Sequence, residues 1–121
     1  MTSPIGEALR IKEAAKAAAE QVQSAKTIDE IIQIKQISVP AYLKATVRSA
    51  IRHLEIAAER RAEELTREQI DLIGRCNQRQ EGQTLKEKFL SSDWKALSGH
   101  FPGVLYRATR DADLTIQQLP E

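Results

Sequence analysis

Residues 38–80 read SVPAYLKATVRSAIRHLEIAAERRAEELTREQIDLIGRCNQRQ, and the fold class follows from them. After Pro40 the stretch has no further proline and a single glycine, Gly74. Leu43, Val47, Ile51, Leu54, Ala58, Ala62 and Leu65 recur at steps of three and four, the apolar stripe of a long amphipathic helix. Ser38 reads as its N-cap, with Pro40 in the first turn. Near Leu65 the register shifts to Ile70, Leu72, Ile73 and Cys76, and Thr66-Arg67-Glu68-Gln69 has the form of a capping box. One kinked helix and two separate helices are both compatible with that shift. In either case the stripe cannot be buried against itself, so the rest of the chain or a second subunit covers it.

Upstream, Ser3-Pro4 is an N-cap followed by proline at the first helical position. Residues 5–25 are mostly strong helix formers, and Ala8, Ala15, Ala18, Ala19, Val22 and Ala25 make a small-residue side suited to close helix packing. Thr27-Ile28-Asp29-Glu30 is a capping box, with the Glu30 carboxylate expected to reach the Thr27 amide. It opens a short helix carrying Ile28, Ile31 and Ile32 on one face and ending before Pro40. Two restarts so close together imply that the first three segments fold back on one another.

Downstream, residues 76–83 are polar and end at glycine, which predicts a helix end and a loop. Thr84-Leu85-Lys86-Glu87 opens a short helix to Leu90, Ser92-Asp93-Trp94 starts a further turn, and residues 99–103 are irregular. Trp94, Leu97, Phe101, Val104, Leu105 and Tyr106 gather into an aromatic cap. Residues 104–109 and 114–119 flank Arg110-Asp111-Ala112-Asp113 and fit a β-hairpin, or else a helix over 104–111 followed by a tail. The expected architecture is mostly α: one domain over residues 1–121, with a helical bundle (3–82) built on the long helix and a small C-terminal cap (83–121).

The 121 residues are enough for one modest core. Much of the 41% hydrophobic content is alanine, and only five residues are aromatic, so burial per residue is small. Shared burial in a homo-oligomer is the expected remedy. The 18 basic and 17 acidic residues are evenly spread, which is not the pattern of a basic nucleic-acid-binding domain. A single cysteine, Cys76, excludes an intramolecular disulfide. Residues 1–6 show no charged-then-apolar leader and no apolar run reaches bilayer length, so a cytoplasmic protein without a membrane partner is expected.

Lys44, Arg48 and Arg52 are spaced by four, and no acidic residue lies between Lys35 and Glu55. That basic stripe, with His53 beside it, suits phosphates or an acidic partner. Glu55, Glu59 and Glu63 continue as an acidic stripe, with Glu63–Arg67 and Arg60–Glu64 as local pairs. A helix with a basic and an acidic half can pair antiparallel with a copy of itself. No catalytic, cofactor or metal site is legible: His53, His100 and Cys76 have no partners at triad or zinc spacing, and there is no glycine-rich phosphate loop. Residues 65–76 and 84–90 make a poor helix-turn-helix, because the connection is too long and only Lys86 and Lys88 offer contacts.

Thr27-Ile28-Asp29-Glu30 and Ala58-Glu59-Arg60-Arg61-Ala62-Glu63-Glu64-Leu65 resemble a T-V-D-E and A-E-R-R-x-G-E-L pattern in uncharacterised helical proteins of phages and plasmids. Glu63 replaces the glycine of that pattern. The resemblance implies a mobile-element origin and no particular activity. The functional expectation is a small non-catalytic interaction protein, a scaffold, adaptor or inhibitor. The alternative is an accessory subunit of a nucleic-acid complex, contacting phosphates through Lys44, Arg48 and Arg52.

Overall fold

The computed structural model describes residues 3–121; residues 1 and 2 of the leader reading lie outside them. Among the described residues the chain is all-helical, with five α-helices: α1 (Pro4–Gln21), α2 (Ile28–Lys35), α3 (Arg48–Gly74), α4 (Arg79–His100) and α5 (Pro102–Gln117). Short 3₁₀ turns at Val22–Ser24 and Ala41–Leu43 punctuate the first half. Two compact units divide the chain at residues 61 and 62, within α3.

In the first unit, the Ser3 hydroxyl accepts the Gly6 amide at 3.1 Å and Pro4 begins α1, as their order predicts. The small-residue side of α1 is buried through Ala8, Ile11, Ala15, Ala18 and Ala19, continuing into Val22 and Ala25. A single chain therefore covers the alanine face, and any self-association has to use another surface. Thr27 caps α2 by accepting the Glu30 amide at 3.1 Å. The Glu30 carboxylate reaches one residue further back than the usual box, to the Lys26 amide at 2.7 Å. α2 buries Ile28, Ile31 and Ile32 and stops at Lys35.

The long helix starts later than its stripe suggests. Pro40 holds an extended ψ of 144°, and the first bond after it, from the Leu43 amide to the Pro40 carbonyl, is a 3₁₀ contact. Bonds of α type begin with Val47 to Leu43 at 3.0 Å. Ala8, Ile11, Leu43 and Val47 form a buried cluster, and Ile37, Val39 and Ile51 pack against it. The Tyr42 hydroxyl donates to the Glu7 carboxylate at 2.5 Å, and Arg61 Nε donates to the Ala25 carbonyl at 2.9 Å.

The second unit departs most from the sequence expectation. α3 runs through Thr66 without a break: this buried threonine donates to the Glu63 carbonyl at 2.9 Å instead of capping a new helix. The break comes at Gly74, and α4 begins at Arg79, inside the stretch expected to be a loop. Gly82 lies in α4 and is buried; a Cβ there would fall 2.8 Å from Leu119 Cδ1. Thr84 donates to the Gln80 carbonyl within α4, so the two short segments expected after residue 83 are one helix.

The hairpin expectation is overturned. Val104, Leu105, Ala108, Ala112 and Ile116 are buried at helical spacing, and Pro102 opens α5, which runs on to Gln117. α4 packs on α5, and Ile73, Ala112 and Ile116 form a buried cluster with Ile70 against it. Arg79 ties the end of α5 to the start of α4: its guanidinium donates to the carbonyls of Leu119 and Gln117 at 3.0 Å, and its amide to Pro120 at 2.9 Å. Phe89 and Phe101 are buried, whereas Trp94 (50%) and Tyr106 (71%) are exposed.

Candidate functional site

Residues 36–40 leave α2 in non-helical backbone, since the residue before a proline is pushed out of the α region. This segment carries the half-buried Ile37 and Val39 alongside the start of α3. Together with Val47 and Ile51 they floor a groove of about 540 Å³. Its walls are Lys44, Arg48, Arg52 and Glu55.

All three residues of the basic stripe thus come to one site, although they do not share one helix. Lys44 closes the 3₁₀ turn, Arg48 is the first residue of α3, and Arg52 follows one turn later. Each is exposed, and none has a hydrogen-bond or ion-pair partner among the described residues. Glu55 is likewise exposed and unpaired there. His53, expected beside the stripe, does not line the groove. The spacing of the cations signals them in the sequence. The floor is harder to find, because Ile37 and Val39 belong to a connection and only the β-branched residues ahead of Pro40 mark it.

A second hollow, about 460 Å³, lies within the second unit, and Glu63, Arg67, Arg107 and Asp111 supply its charges. Here Glu63 pairs with Arg107 and not with Arg67 one turn on, and Asp111 accepts from Arg110 at 3.3 Å. Three of the four charges are consumed internally. The Cys76 thiol donates to the Leu72 carbonyl at 3.6 Å, and the His100 ring lies 6.4 Å from that of Phe101. Among the described residues no group of three or more His, Cys, Asp or Glu side chains gathers as a metal site, and no helix is long and apolar enough to cross a membrane.

The surroundings of Tyr42 displace its ionisation in a defined direction. Its hydrogen bond to Glu7, partial desolvation and the Glu7 charge all hold the phenol above its ordinary value. No protein-family model, curated protein or solved structure matches the chain. The reading of function therefore rests on the groove. An apolar floor inside a wall of three unpaired cations and one carboxylate can hold a surface that carries apolar and mainly acidic groups.

Proposed function

We propose that this protein is a small non-catalytic interaction protein, of scaffold, adaptor or inhibitor type, and that the groove of the first unit is its docking face. One observation carries the reading: Lys44, Arg48 and Arg52 surround an apolar groove and are left without partners among the described residues. Charges held at a groove with nothing opposite them add little to stability but steer association and select a partner of opposite sign. The same cations would also serve an accessory nucleic-acid subunit. Against that reading, the floor is apolar and Glu55 stands in the wall, where it would repel phosphate.

Capture from native lysate, with and without nuclease, separates the two. A bait of the intact protein should retain protein partners after nuclease treatment, and K44Q/R48Q/R52Q should lose them. Loss on nuclease treatment alone would transfer the case to nucleic acid, with about three phosphates neutralised and a salt slope of roughly −2 to −3. Equal capture by the triple variant would remove the groove from the function.

A further inference from the structure

We propose that the groove face is self-complementary and that its occupant is a second copy of this chain, with the two α3 helices antiparallel. The inference rests on the docking reading above and names the partner for it. Arg48, Arg52, Glu55 and Glu59 are spaced four, three and four, so they lie on one face of α3, and all four are exposed. Read backwards with the signs inverted, the row is unchanged. A two-fold axis passing between residues 53 and 54 sets Arg52 level with Glu55 of the second copy, and Arg48 level with its Glu59.

Apolar residues flank this row on both sides. Ile51, on the groove floor, lies to one side of it, and Ile56, 44% exposed in the single chain, lies about 140° round the helix on the other. The row spans about 16 Å of helix at 1.5 Å per residue. A parallel arrangement in register would oppose arginine to arginine and glutamate to glutamate. A one-residue slip would move every charge off its partner. The pattern therefore selects one orientation and one register, as an isologous interface requires. It also supplies a counter-charge for Arg52 and for Glu55, neither of which has one among the described residues.

Sedimentation of the intact protein across the micromolar range tests the inference, with circular dichroism confirming that each variant stays helical. Wild type should dimerise and weaken as salt is raised. R52E replaces two attractive contacts with two repulsive ones and should weaken the dimer at least about tenfold. R52E/E55R restores opposite charges in the same register and should return the dimer. A monomeric wild type, an R52E dimer as strong as wild type, or a double variant no stronger than R52E would each overturn the inference. If the wild type is monomeric while lysate capture is still lost in K44Q/R48Q/R52Q, the docking reading stands and only the second copy as occupant fails.

Discussion

The ion pairs of the second unit and the charged groove of the first use charge in opposite ways. In the second, Glu63 with Arg107, Lys86 with Asp113, and Arg79 with Glu121 join residues 27 to 44 positions apart in the sequence. Charges there hold one helix or tail against another. In the first unit, Lys44, Arg48, Arg52 and Glu55 crowd one groove without closing on any described residue. The same side-chain chemistry thus ties elements together in the second unit, as Glu7 and Arg61 do in the first, and stands unpaired among the described residues at the groove. The comparison predicts that stability and binding respond to different substitutions.

The largest effect should come from the second core. Ile73→Ala empties a site that is 1% exposed, and chemical denaturation should show a loss of about 2–5 kcal/mol. Binding through the groove should survive under conditions where this variant remains folded. Arg79→Ala removes the donor to two carbonyls at the end of α5. Because that side chain is partly exposed, a loss of about 1–2 kcal/mol is expected from urea unfolding. An Arg79→Ala protein as stable as wild type would show that the tie between α4 and α5 is incidental.

Gly82→Ala sets a gain in helix propensity of about 1 kcal/mol against crowding of about 1–3 kcal/mol, since the new methyl meets Leu119, Ile116 and Ile73. A net loss of about 1 kcal/mol is expected by thermal melting. A more stable variant would mean that Leu119 gives way freely.

By contrast, K44Q/R48Q/R52Q should change stability by no more than about 0.5 kcal/mol while abolishing groove binding. A large stability loss in that variant would erase the contrast between the units.

The smallest effect concerns Tyr42. Its phenol is held above the ordinary value in the folded chain, so its contribution to stability is fully present below the unfolded tyrosine value of about 10 and is lost as pH rises through the folded value. In Glu7→Ala, tyrosinate absorbance should show Tyr42 ionising at lower pH than in the wild type.

What the sequence discloses depends on how local the cause is. The caps at Ser3 and Thr27 act over three residues, and both hydroxyls accept the amides expected, although the Glu30 carboxylate turns to Lys26 and not to Thr27. Thr66 and Thr84 match the same pattern, yet each satisfies its hydroxyl on a carbonyl three or four residues earlier within a continuing helix. A Ser/Thr capping signature cannot by itself tell those two uses apart. Gly82 reads as a helix end until its neighbours are known, and Leu119, Ile116 and Ile73 all approach from distant positions. The hairpin reading fails for a related reason: a short run such as residues 114–119 is compatible with either period until Ala108, Ala112 and Ile116 are seen to share a face. At the groove, the cations announce themselves by spacing, while Ile37 and Val39 reach it only through tertiary folding of a connection.

The placement of the aromatic residues has an optical consequence. Trp94, the only tryptophan, belongs to the second unit and is half exposed, whereas Tyr42 belongs to the first. Indole emission therefore reports on the second unit. In a Tyr106→Phe background, tyrosine absorbance comes from Tyr42 and follows the first unit. Recorded together through a denaturant titration, the two signals ask whether the halves that α3 joins melt as one: coincident midpoints mean a single cooperative unit, and separated midpoints mean two.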